Sequence, residues 1–167
     1  MVNHPQGLRD ANEKAFLAWF PDCVPATLIA RSLDQMRKFI SQHKKVVVKP
    51  LDMMGGRSVF ATSVEDGNHN VILETVSDYG KRYTMLQQYI PEISKSGDRR
   101  ILLIDGQPIP FALARIPAEG DHRGNMEAGA RVDVHPLTER EQAICDHIGP
   151  RPRAKAALLA VIDMLGN

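Results

Sequence analysis

Residues 46–60 read Val46-Val47-Val48-Lys49-Pro50-Leu51-Asp52-Met53-Met54-Gly55-Gly56-Arg57-Ser58-Val59-Phe60. The β-branched run 46–48 predicts a buried strand. Lys49 ends it, and Pro50 holds the lysine in an extended conformation. A lysine at such a strand end is either a snorkelling side chain or a phosphate ligand. Six residues on, Gly55-Gly56 can turn backbone N–H groups toward an anion, because no Cβ intervenes. A second short strand, 58–62, then follows. Strand, lysine, glycine-rich turn and strand make a flap suited to covering a triphosphate. A plain hairpin uses the same glycines. The strand-to-helix phosphate loop Gly-x-x-x-x-Gly-Lys-Ser/Thr is absent.

Working outward, three helix starts are predicted. Asp10 with Glu13 reads as a capping pair ahead of a helix over 11–20, which Pro21 ends. Ser32 with Gln35 opens 33–42, where Leu33, Met36, Phe39 and Ile40 fall at helical spacing. Thr138 with Glu141 opens a third, with Ala143, Ile144 and Ile148 on one face. Gly149-Pro150 interrupts it, and helix resumes over 152–157. Further strands are expected at 71–76, 82–90 and 100–104. Asp105-Gly106 is a hairpin signal returning the chain into 109–115, with Pro108 and Pro110 restricting that arm to one-sided pairing at its start. From 116 to 131 the pattern vanishes, which points to a functional lid or a disordered loop. Residues 158–165 read as a buried terminal strand with Asp163 inside it.

Composition narrows the class. A chain of 167 residues, 43% hydrophobic and 25% charged, is an ordinary globular chain. Twenty-one basic residues against 20 acidic ones leave a net charge of +1 and no global attraction to nucleic acid or anionic membrane. The longest apolar run, Ala156 to Ile162, is seven residues, far below the roughly 20 a membrane helix needs. Neither a signal peptide nor a cysteine motif is present, so Cys23 and Cys145 read as reduced thiols of a cytoplasmic protein.

Other residues with chemical promise lie along the chain. The segment Met85-Leu86-Gln87-Gln88-Tyr89-Ile90-Pro91 ends a strand in amides, where backbone groups can meet an adenine edge or the strand can simply leave the sheet. Asp98 precedes the strand 100–104 and could hold a ribose hydroxyl or a catalytic side chain. Arg115, Arg123 and Arg131 flank or occupy the long loop, suited to clamping carboxylate or phosphate, or to keeping the loop soluble. Asp163 in an apolar strand must be paired, neutral or metal-bound. The six histidines show no metal spacing, and no serine nucleophile motif occurs.

These residues together resemble bacterial glutathione synthetase, an ATP-grasp ligase. The resemblance runs almost the whole chain: Asn3-His4-Pro5-Gln6-Gly7-Leu8-Arg9-Asp10-Ala11-Asn12-Glu13-Lys14, the flap 46–60, Gln87 to Pro91, Gly97 to Arg100, Ala114 to Pro117, Arg123-Gly124-Asn125 and Pro136 to Glu139. It implies an α+β ATP-grasp fold, two lobes holding nucleotide between them. About 25–92 would form the small flap-carrying lobe, and 1–24 with 93–167 part of the larger. The implied reaction joins γ-glutamylcysteine to glycine through an acyl phosphate, converting ATP to ADP and phosphate with Mg²⁺. Lys14 and Lys49 would meet the phosphates. Gly55, Gly56 and Ser58 would form the flap, and Gln87, Gln88, Tyr89 and Ile90 the adenine hinge. Asp98 would stand on the nucleotide side, Arg115 and Arg123 near substrate, Asp163 as a metal ligand, and 116–131 as the lid.

The departures from the family pattern are specific. Met53 replaces a glycine of Asp-Gly-Met-Gly-Gly, which would strain the flap if the position needs positive φ, and Ala130 stands where Gly-Gly-Arg is usual. The family's N-terminal domain and its closing Glu-x-Asn metal ligands are not in this sequence, so a truncated central piece is expected. Two other readings stand beside the ligase: a nucleotide-binding remnant without turnover, and another ATP-grasp carboxylate–amine ligase. An unpaired terminal strand would favour self-association into a homo-oligomer.

Overall fold

The computed structural model describes residues 2–118, 129–154 and 159–165. They fall into two compact units: Glu13–Tyr89 is one, and the residues up to Asn12 with those from Ile90 onward are the other.

In the first unit, four antiparallel strands stand in the order β1-β4-β2-β3: β1 (Thr27–Ala30), β2 (Lys45–Pro50), β3 (Phe60–Ser63) and β4 (Thr84–Gln88). Helices α2 (Leu33–His43) and α3 (His69–Ser77) supply the rest of its core. Val46, Val48, Leu86 and Ala30 point to one face and pack with Met36, Ile40, Leu73 and Val76. Strand periodicity sends Val47, Lys49 and Gln87 to the opposite face. Ser32 caps α2 through its Oγ, which accepts from Gln35 N at 3.5 Å.

In the second unit the sheet order is β7-β6-β5-β8, again all antiparallel. Its strands are β5 (Asp98–Ile104), β6 (Gln107–Ile116), β7 (Arg131–Pro136) and β8 (Leu159–Leu165). The unit also holds α1 (Pro5–Asp10), α4 (Ile93–Ser96), α5 (Glu139–Ile148) and α6 (Pro150–Ala154). Ile101, Leu103 and Ala112 pack with Cys145 of α5, flanked by Ile162 and Met164 of β8. Asp105-Gly106 does make the β5–β6 turn, with φ of 50° and 78° at its two residues. β7 pairs with β6 only over Phe111–Ile116, so Pro108 and Pro110 lie where β6 is paired on one side alone. Thr138 and Glu141 form a complete capping box on α5.

Four expectations are corrected. The segment 71–76 is not a strand but the body of α3, because Leu73, Val76 and Ser77 fall on one buried helical face. That 3.6-residue period outweighs the β-branched composition. Asp10 does not open a helix over 11–20; it is the last residue of α1, whose start is set one turn earlier by Pro5 and by His4 Nδ1 accepting from Gln6 N. Ala15–Trp19 forms only a 3₁₀ segment. The terminal strand β8 is not buried; it alternates exposed and half-buried residues at a sheet edge. β1 and β7 had no counterpart among the expected strands.

Candidate functional site

Two groups of side chains stand out, one in each unit, and each is built by strand register.

The first lies on the face of the β1–β4–β2–β3 sheet opposite the one that packs on α2 and α3. Thr27 of β1 lies opposite Gln87 of β4, which in turn lies opposite Val47 of β2. Lys49, two residues along from Val47, therefore reaches Gln87 diagonally. Its ammonium donates to Gln87 Oε1 at 2.7 Å. Gln87 Nε2 donates to Thr27 Oγ1 at 3.0 Å, and Thr27 Oγ1 donates to the Pro25 carbonyl at 2.7 Å. The ammonium of Lys14 sits in the same unit, ion-paired with Glu13 and donating to the Met53 carbonyl at 2.6 Å. Lys14 is thus tied to the base of the glycine turn.

That turn has the left-handed backbone that glycine favours, with φ of 66° at Gly55 and 73° at Gly56. Ser58 shares it at 55°, whereas Met53 is not among the positive-φ residues. The methionine in place of the family's glycine therefore introduces no left-handed strain. Met53 and Met54 are both exposed. At the end of β4, Gln88 N donates to the Ala26 carbonyl and Tyr89 N to the Lys45 carbonyl. Lys45 Nζ lies 4.0 Å from the Tyr89 ring centroid, a cation–π contact. The Ile90 carbonyl accepts from Ile93 N at 3.3 Å. The amides of Gln88 and Tyr89 are thus occupied by their own sheet.

The second group lies across β6, β5 and β8. Asp98 stands opposite Arg115, and Arg100 opposite Asp163. Positions 98 and 100 share a face, so the four side chains meet as a block of two acids and two arginines. Arg115 is 4% exposed and forms a two-point ion pair with Asp98, while its guanidinium also reaches Asp163 at 2.9 Å. Arg100 holds Asp163 with two bonds of 2.7 Å. Burial pushes the Asp98 carboxyl up, and Arg115 offsets that only in part. Burial would also raise Asp163, but the hydrogen bond from Arg100 and the charges of Arg115 and Arg100 prevail and hold it below the usual carboxylate range. Gly97 lets this block close: its φ is 69°, and a Cβ there would stand 2.0 Å from the Arg115 carbonyl oxygen.

On the opposite face of β5, Arg99 is ion-paired with Glu141, the capping-box residue of α5. Arg123 and most of the expected lid lie outside the described residues. Sequence reading missed Arg100 and Thr27 as members of these groups. The signal for Arg100 was present, since Asp98-x-Arg100 is a two-residue spacing within a strand. Nothing in the sequence marked Thr27.

Among the described residues no three histidine, cysteine, aspartate or glutamate side chains gather as a metal site. No helix among them is long and apolar enough to cross a membrane.

The profile of the family described as prokaryotic glutathione synthetase, ATP-grasp domain, matches residues 13–167. A glutathione synthetase of Pseudomonas aeruginosa is 47% identical over all 167 residues, and one of Escherichia coli strain K12 is 46% identical over the same span. This chain covers 52% of either relative, so it spans about half the length of the curated proteins it matches. Among solved structures, D-alanyl-alanine synthetase A of Vibrio cholerae aligns with a TM-score of 0.69 at 15% identity, covering 98% of this chain and 54% of that one. The D-cycloserine synthetase DcsG aligns at 0.69 and 17% identity, covering 93% and 58%. These two likenesses show the fold, which is ATP-grasp.

Proposed function

We infer the function from this premise: the chain belongs to the ATP-grasp domain family of prokaryotic glutathione synthetases. Our reading is that it is the nucleotide-handling portion of a glutathione synthase, an ATP-dependent ligase joining γ-glutamylcysteine to glycine. The observation that carries it is the 45–47% identity along every residue to proteins of that name.

The reaction asks for two steps. A carboxylate oxygen of the dipeptide attacks the γ-phosphorus of ATP and ADP leaves. The glycine amine then attacks the acyl carbon, loses a proton, and phosphate leaves. In the first step negative charge builds on the transferring phosphoryl group and on ADP, and fixed cations offset it. Lys49 and Lys14 are assigned to that task. The turn through Gly55, Gly56 and Ser58 is assigned to cover the phosphates. Gln87, Gln88, Tyr89 and Ile90 are the adenine hinge, and Asp98 stands on the nucleotide side. Because Gln88 N and Tyr89 N already serve the sheet, we assign the hinge contact to carbonyl groups and the Ile90 amide. Arg115 and Arg123 are assigned to positions near the substrate. In this arrangement Arg115 is oriented by Asp98 and Asp163.

Asp163 is the residue that would hold a Mg²⁺ ion, whose charge would offset that of the nucleotide phosphates. Asp98 and Asp163 are both engaged by guanidinium groups, so the described residues alone do not fit the ion. No step is routed through it. The same observation favours a second reading, nucleotide binding without turnover by these 167 residues. Two free thiols, Cys23 and Cys145, suit a reducing compartment such as the cytoplasm.

The test is calorimetric titration with Mg-ATP beside Lys49→Ala, followed by an ADP-release assay. Lys49→Ala is expected to weaken binding at least tenfold, roughly the value of one charge-assisted phosphate contact. Equal binding by both chains would overturn the lysine assignment. ADP release requiring both γ-glutamylcysteine and glycine would establish the ligase, and binding without such release the second reading.

A further inference from the structure

The hydrogen bonds that run from Lys49 to Pro25 have a fixed direction, and the far end sets it. The Pro25 carbonyl can only accept. Thr27 has one hydroxyl proton, and it goes to that carbonyl at 2.7 Å. What Thr27 then offers Gln87 is lone pairs alone. The Gln87 carboxamide, 6% exposed, must turn its NH₂ group toward Thr27 and its oxygen toward Lys49. The reverse orientation would set an NH₂ donor against an ammonium and a carbonyl oxygen against a hydroxyl with no proton left to give.

We propose that Thr27 is a positioning residue for Lys49: its hydroxyl locks the Gln87 amide so that Oε1 holds the lysine ammonium on the face of the sheet away from α2 and α3. The three side chains sit on three adjacent strands, β1, β4 and β2, Thr27 directly opposite Gln87 and Lys49 diagonal to it. The lock is therefore built into the strand pairing rather than into a loop. Without it, the Lys49 ammonium would lose a part-buried partner at 2.7 Å, its four-carbon stem would gain rotamer freedom, and ordering it again would count against ligand binding. The importance of Lys49 for nucleotide rests on the function proposed above; the lock itself does not.

Thr27→Val keeps the shape and removes the hydroxyl, whereas Thr27→Ser restores it. The first measurement needs no nucleotide. Amine acetylation of the folded 167-residue chain is followed residue by residue by mass spectrometry. Thr27→Val is expected to raise the labelling rate of Lys49 about threefold or more, with Lys14 as the internal reference and Thr27→Ser near wild type. Unchanged Lys49 labelling in Thr27→Val would overturn the proposal. So would equal increases at Lys14 and Lys49, since those report loosening of the whole unit.

The second measurement is the Mg-ATP titration repeated as a double-mutant cycle. Thr27→Val is expected to raise Kd about five- to tenfold in the wild-type background and to add nothing on top of Lys49→Met. An equal loss in both backgrounds would show that Thr27 does not act through Lys49. If the wild-type chain binds no nucleotide, the functional reading falls, and the labelling result still decides the lock. Should Thr27→Val fail to fold, Gln87→Leu provides the same labelling comparison from the other side of the bond.

Discussion

Cys145 is fully buried against Ile101, Leu103 and Ala112, one turn from the end of α5. Burial, and to a lesser degree Asp146 and Glu141, push its thiol up from about 9 to about 11. Such a thiol is not a nucleophile at neutral pH. The sign of its effect on stability follows. Between about pH 9 and 11 the unfolded chain ionises the thiol while the folded chain keeps the proton. The folded state thus binds more protons there, and stability falls as pH rises, by at most about 1.4 kcal/mol per unit. Urea unfolding at pH 8 and pH 10 should show a loss in the wild type that Cys145→Ala largely lacks. Parallel losses in the two proteins would place the cause elsewhere.

At the scale of elements, one side chain both caps α5 and joins it to the sheet. Glu141 accepts from Thr138 N at 2.8 Å and from Thr138 Oγ1 at 3.0 Å, and it is also the ion-pair partner of Arg99 on β5. Removing the cap by Thr138→Ala is expected to cost about 1 kcal/mol in urea unfolding. Glu141→Gln should cost about 2–3 kcal/mol, because it leaves a half-buried guanidinium without its counter-charge. Equal costs for the two variants would mean that the bond to β5 contributes nothing.

This cap was readable as Thr138-x-x-Glu141; its partner Arg99 was not, since sequence gives no strand-to-helix pairing. The same divide runs through the rest of the chain. Local signals such as Ser32-x-x-Gln35 and Asp105-Gly106 were legible because their physics is complete within four residues. α3 was misread because Val71, Ile72, Thr75 and Val76 favour strands by composition, while only burial in the fold reveals the helical face. β1 is four residues between Pro25 and Ser32, too short to show a period. β7 does alternate, with Val132 and Val134, but sits at the end of a patternless stretch. For the candidate site, Lys49, Gln87, Asp98, Arg115 and Asp163 were each singled out by residue type. The bonds that join them depend on register across strands.

At the scale of the whole molecule, each unit has its own core, one around Met36, Leu73 and Leu86 and one around Ile101, Leu103 and Cys145. The second unit also carries an edge strand, closed at Leu159, where the Asn3 side chain bonds both N–H and C=O at 2.8 Å, and without a strand partner beyond it among the described residues. β8 has one partner among the described strands, β5, and Leu159 and Val161 on it are about half exposed. Unpaired backbone groups beside apolar side chains favour strand addition. Light scattering of the 167-residue chain is expected to show mass rising with concentration, and Val161→Lys should suppress the rise. A constant monomer mass up to high concentration would count against edge pairing.

β5 runs through the middle of that sheet with its two faces committed to different ends. Arg99, Ile101 and Leu103 face α5 and the core, while Asp98 and Arg100 face Arg115 and Asp163. Each mutational step along the strand therefore falls under a different selective pressure. In a library covering residues 98–103, variants at 101 and 103 would be lost because little protein accumulates. Variants at 100 would lose the two-bond pair with Asp163 but leave the core untouched. Drift can rework the charge pairs of the one face while purifying selection holds the other still, and the pleat of a single strand is what keeps those two histories apart.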